Sequence, residues 1–152
     1  MSSKTPRPVV RISSQQDALR VPRKRLAELA AYVAAQEGVR LAELDLAVVD
    51  DDTMADLNRR HLRHAGTTDV LSFDMSGAHT PGLCVQLIVS GPVAKRSGPR
   101  HGLPPTHELM LYVIHGLLHQ MGYDDDDVRG GAKMHAREED LLARFLDQRR
   151  KR

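Results

Sequence analysis

The sequence predicts an α+β fold, a small mixed β-sheet packed by helices, with a metal site at the end of a buried central helix. Three observations carry that expectation. Segments with strand alternation and segments with helical periodicity intermix along 152 residues, a length suited to one core and short for two. One helical segment is apolar nearly all round, which places it in the middle of the domain. Two histidines four residues apart, His115 and His119, sit in that same segment.

The elements follow in order. Residues 1–8 are polar and Pro-containing and read as a loose leader, not a signal peptide. Val9 to Ile12 is a short candidate strand. Leu26, Leu29, Ala30 and Val33 recur at helical spacing, with Pro22 near the start and Gly38 just past the end. Leu44, Leu46 and Val48 alternate with Asp45 and Ala47 as a strand does. Asp50 to Thr53 supply N-cap chemistry for a second helix that turns Met54 and Leu57 inward. Val70 to Met75 and Leu83 to Val89 are further strands, the second central because its apolar run is unbroken. Ser76 to Gly82 connects them as a turn. Gly91 to Pro105, rich in Pro and Gly, reads as a loop with at most one broken helical turn.

Thr106 opens the apolar helix, which carries Leu109, Met110, Leu111, Val113, Ile114, Leu117, Leu118 and Met121. Gly122 follows where a left-handed cap ends a helix. The acidic run Asp124 to Asp127 caps a last helix with Met134, Leu141, Leu142 and Phe145 inward, and residues 147–152 form a basic tail. All of 1–152 reads as a single domain.

Composition narrows the function. With three Tyr, two Phe and no Trp, the chain lacks the rings of a base-stacking platform. Nucleic acid would be held through charge and shape. The net charge is only +2, but basic residues cluster at Arg20 to Arg25, Lys95 to His101 and Arg149 to Arg152, which is either ordinary solvated surface or a phosphate-binding face. The single Cys84 lies in an apolar run and reads as a small buried hydrophobe. No apolar stretch reaches membrane-spanning length, so the expectation is a reduced, cytoplasmic protein with no membrane partner.

The chemistry lies in His115-Gly-Leu-Leu-His119-Gln-Met-Gly122-Tyr-Asp-Asp125. Histidines four apart stack on one helix face, so both rings reach one ion. A glycine that ends the helix lets the chain double back and deliver Asp125 to the pair. Three protein ligands and an open position describe a catalytic metal site, with one divalent ion, zinc above all, as cofactor. Hydrogen-bonded core histidines are the alternative, but burying two imidazoles without a strong partner is costly. Zinc peptidases with this layout place a Glu general base after the first His; here that position is Gly116.

The same residues resemble the signature of the YbeY family of rRNA-maturation endoribonucleases, His-Gly-x-Leu-His followed by Gly-Tyr-Asp. Leu57-Asn58 and Thr68-Asp69-Val70-Leu71-Ser72-Phe73 are similar to two further blocks of that family, and Glu108 falls where it carries a glutamate. The matching blocks span residues 44 to 146. The resemblance implies an α+β fold, a zinc-type ion in a cleft, cleavage of single-stranded RNA, and rRNA and the ribosome or its small subunit as partners, with no DNA. Three departures stand out. Asp125 replaces the family's third histidine, leaving the ion less positive and widening the choice towards iron, manganese or nickel. Leu62 replaces its arginine, with Arg60 and Arg63 as flanking guanidiniums to stabilise phosphoryl charge. Val85-Gln86 replaces the family's Gly-Asp or Gly-Glu before the central strand, removing one acidic side chain near the cleft. Thr68, Asp69 and Ser72 are candidates for lining the substrate cleft. Asp124 either hydrogen-bonds a ligand's second ring nitrogen or caps the next helix. The rivals to an endoribonuclease are a ribosome-associated factor with vestigial activity and a zinc-dependent, metallopeptidase-like hydrolase.

Overall fold

A computed structural model describes residues 6–61 and 70–150. It is an α+β structure with a four-stranded mixed sheet. The elements are β1 (Val9–Gln15), α1 (Arg23–Glu37), β2 (Leu41–Val49), α2 (Asp51–His61), β3 (Val70–Asp74), β4 (Leu83–Ser90), α3 (Gly91–Arg100), α4 (Pro105–Gln120) and α5 (Val128–Arg150). Strand order is β1-β2-β4-β3. β1, β2 and β4 run parallel, and β3 pairs antiparallel with β4, Leu71 opposite Ile88. β4 is therefore central, as its unbroken apolar run requires, and Leu87 and Val89 on it are fully buried.

The two faces of the sheet are covered differently. Leu44, Leu46, Val48, Val85, Leu87 and Val89 point to the main core, shared with α1, α4 and α5. Val49, Leu71 and Ile88 point the other way and meet Met54 of α2. The period of two along each strand makes this division. The helix caps follow the local chemistry: Gly38 closes α1 at φ 66°, and the Thr53 N–H donates to Asp50 Oδ1 at 2.8 Å at the start of α2. Cys84 is a buried free thiol. No helix among the described residues is long and apolar enough to cross a membrane.

Two segments differ from the sequence reading. β1 extends to Gln15, because pairing with β2 continues through Ser13, Ser14 and Gln15 despite their polarity. The expected loop from Gly91 is the ten-residue helix α3. Ser90 caps it, its hydroxyl accepting from the Val93 N–H at 3.1 Å, and Pro92 occupies the first turn, where a missing N–H costs nothing. Pro99 falls in the last turn, near the end of the helix. Gly98 is needed for packing: a Cβ there would lie 2.9 Å from the Leu103 carbonyl oxygen and 3.3 Å from Glu108 Cβ, so α3 presses closely on α4.

Helix α4 sits between the sheet, α1, α3 and α5. Leu109, Val113, Ile114, Leu117 and Leu118 are all fully buried, each worth about 1.5–3 kcal/mol of transfer free energy. The helix is thus a rigid mount for whatever it presents. Gly116 faces the sheet, where an added Cβ would stand 2.5 Å from Leu87 Cδ2 and 3.1 Å from Val70 Cγ1. Gly116→Ala sets an overpacking cost of about 2 kcal/mol against a helix-propensity gain of about 1 kcal/mol. The net loss of about 1 kcal/mol is expected to lower Tm by about 2–4 °C; a thermal melt with Tm unchanged or raised would contradict this packing.

Candidate active site

The C-terminal half of α4 and the chain returning from it build the site. The turn is well anchored. Gly122 takes φ 107°, and the Tyr123 N–H donates to the Leu118 carbonyl at 3.0 Å. Arg137 of α5 grips Glu37 at the end of α1 with Nε at 2.7 Å and Nη2 at 2.6 Å. Tyr123 hydrogen-bonds the same Glu37, and burial, then this carboxylate, push its phenol above the ordinary range. Further along, Asp127 Oδ1 accepts the Gly130 N–H at 2.6 Å and starts α5. Gly130 lies so close to the Asp124 carbonyl that a Cβ there would stand 2.3 Å from the oxygen. The acidic run is thereby held between two fixed ends.

His115 is brought to the returning chain: its Nε2 stands 3.7 Å from Asp125 Oδ2. Two donors bound to one zinc ion at about 2.1 Å each, at a tetrahedral angle, stand about 3.4 Å apart, so this separation fits a shared cation. The other ring nitrogen is engaged as a metal-binding histidine requires. Nδ1 meets Glu138 Oε2 at 2.6 Å, and Glu138, on α5, is a buried charge. That contact fixes the tautomer and directs Nε2 toward Asp125. Glu138 had no sequence signal of its own; it lies 23 positions along the chain on another helix.

The other candidates are placed as follows. His119 is exposed on the last turn of α4. As placed, His115, His119 and Asp125 do not all approach within 4.8 Å; among the described residues the group that does is Asp124, Asp125 and Asp126. Repulsion from Asp124, a hydrogen bond to it, slight burial and then Asp125 hold the Asp126 carboxyl above its ordinary value, with His119 acting in the opposite direction. Such crowded carboxylates suit a cation. Asp124 Oδ1 accepts the Asp126 N–H at 2.9 Å, while the hydrogen bond to the His115 imidazole comes from Glu138 and the cap of α5 from Asp127. Ser72, on β3, accepts from Gln120 Nε2 at 3.0 Å, tying the sheet edge to the end of α4. Arg60 is exposed on α2, across the sheet from α4, and pairs with Asp56 at 3.1 Å. Arg63, Thr68 and Asp69 lie outside the described residues.

Beside His115 opens a cleft of about 250 Å³, lined by Val70, Leu111 and Tyr112 and by the ionisable side chains His101, Glu108, His135 and Glu138. Fold and site together define a class: an α+β protein with a carboxylate-steered imidazole on a buried helix, facing a small cleft into which several ionisable side chains open. The comparisons refine it. The family described as Endoribonuclease YbeY matches residues 11–146. The Endoribonuclease YbeY of Moorella thermoacetica is 40% identical over 121 residues, covering 72% of this chain and 78% of its own. That of Thermobifida fusca is 37% identical over 129 residues, covering 79% and 83%. A Thermotoga maritima protein solved in solution shares the fold with a TM-score of 0.61 at 20% identity, covering 94% of this chain and 93% of its own. The chain belongs to the YbeY endoribonuclease family.

Proposed function

We infer that this chain is a metal-dependent endoribonuclease that cleaves single-stranded RNA in rRNA maturation and ribosome quality control, acting on the ribosome or its small subunit in a reduced cytoplasm. The observation that carries the reading is the chain Glu138–His115–Asp125, in which a buried carboxylate steers one imidazole nitrogen while the other faces a second carboxylate at ligand separation, in a family of endoribonucleases.

His115, His119 and Asp125 would hold one divalent ion, zinc foremost, with Asp124 and Asp126 adding negative charge around it. When bound, such an ion supplies Lewis acidity to a phosphoryl oxygen and lowers the pKa of a water. The protein's own part is to orient and to neutralise. Glu138 locks the His115 ring. Ser72, with Thr68 and Asp69 just before it in sequence, is assigned to the substrate strand along the β3 edge. Arg63 is assigned to the charge developing on phosphorus; Arg60 stands across the sheet from α4, in an exposed pair with Asp56 worth about 0–1 kcal/mol.

The peptidase alternative fits less well. A glutamate at 116 would be driven into Leu87 and Val70 rather than toward the cleft. The test is cleavage of single-stranded rRNA fragments by purified protein before and after metal removal. Cutting is expected to vanish with chelator and return with added zinc or manganese. Undiminished cutting by protein shown to be metal-free would end the reading.

A further inference from the structure

A second carboxylate–imidazole pair lines the same cleft. His101, at the C-terminal cap of α3, points Nδ1 at both oxygens of Glu108, at 3.1 and 3.0 Å. Glu108 is only 3% exposed, whereas the His101 ring is 61% exposed. The backbone N–H of His101 is held by the Ser97 and Gly98 carbonyls, and the close approach of Gly98 to Glu108 fixes α3 against α4. A buried charge on the first turn of an otherwise apolar helix is costly unless it is well partnered. Here its partner is a ring that lines the cleft shared with His115.

We propose that His101 is the general base of this site and that Glu108 is its positioning residue. This rests on the endoribonuclease reading and adds the proton path that reading lacks. With Nδ1–H donated to Glu108, the Nε2 lone pair is the one available to the cleft. As a water oxygen bonds to phosphorus, one water proton passes to Nε2. As the bond from phosphorus to the leaving ribose oxygen breaks, that proton is handed on to the oxygen. One P–O bond forms and one breaks, and the imidazole ends neutral. Buried carboxylate, fixed tautomer and exposed second nitrogen are the parts that hydrolytic histidines use elsewhere.

The other ionisable groups facing His101 are Tyr112 and His115 from α4, and His135, Glu138 and Glu139 from α5. The test separates them by pH profile, using metal-loaded full-length protein and single-stranded RNA. In the unsubstituted protein kcat/KM should rise with pH along one limb, as required of a base that acts only when unprotonated. His101→Ala should lower kcat by about 10²–10⁴-fold, abolish that rising limb, leave bound metal at full stoichiometry, and regain activity with free imidazole. Residue 101 is exposed, so its truncation leaves no cavity in the core, but it strips buried Glu108 of its partner and should lower Tm, which a thermal melt reads apart from the rate. Glu108→Gln, whose amide oxygen can still accept from Nδ1–H but brings no charge to hold the protonated ring, should lose part of the same activity. His135→Ala should keep the limb.

Three results would overturn the proposal: His101→Ala cutting at nearly full rate with its pH profile intact, the limb disappearing with His135 instead, or metal lost with the His101 ring. Failure of the unsubstituted, metal-loaded protein to cut any RNA would remove the endoribonuclease reading itself.

Discussion

His115→Ala is expected to reduce RNA cleavage by about a thousandfold. The imidazole is assigned to an ion whose stabilisation of transition-state charge is worth several kcal/mol, and each 1.36 kcal/mol is about a factor of ten in rate. The change has a second consequence. Glu138, buried and bound to His115 at 2.6 Å, loses that partner, and an unsatisfied buried polar group costs about 1–3 kcal/mol. The variant should therefore melt lower than the parent even when both are stripped of metal. Single-turnover cleavage with saturating metal, and thermal melts with and without chelator, read the two effects separately. Activity within about tenfold of the parent would contradict the ligand assignment, since a decade is less than one such interaction supplies.

Removing the group behind the ligand should be felt at the ion as well. Glu138→Ala is expected to weaken metal affinity by about 10–100-fold, the range found when the carboxylate partner of a metal-binding histidine is deleted. In this assignment Glu138 acts behind the ligand, on the ring nitrogen turned away from Asp125. Its effect runs through Nδ1, whose hydrogen bond sets the ring's tautomer and orientation. Glu138→Gln should fall between Ala and the parent, because its amide oxygen can still accept from Nδ1–H but carries no charge. Competition with a chromophoric chelator measures both affinities. Equal affinity in all three proteins would show that Asp125 and His119 hold the ion without a steered His115.

Legibility in the chain varied with how local each feature is. The helix holding His115 and His119 was readable because a run of apolar residues on all sides has one home, the middle of a core, and four-residue spacing fixes a common face. The left-handed Gly122 and the returning acidic run were readable for the same reason: both are set by the next few residues. Helix α3 was missed although Ser90 and Pro92 are standard start signals. Gly98 and Pro99 read as breakers, yet one serves a close helix contact and the other falls in the last turn. Glu108 was visible only as a family resemblance, with no task attached to it.

What the amino-acid order determined by itself is every element except α3, their buried faces and the donor types gathered around Gly122, since periodicity and caps act within a turn or two of helix. Only the tertiary structure decided which carboxylate serves which imidazole. Glu138 reaches His115 from α5, and His101 reaches Glu108 across the α3–α4 contact. Those pairings depend on how far one helix has slid and rotated against another, and that offset is set by the whole packed core rather than by any stretch of neighbouring residues.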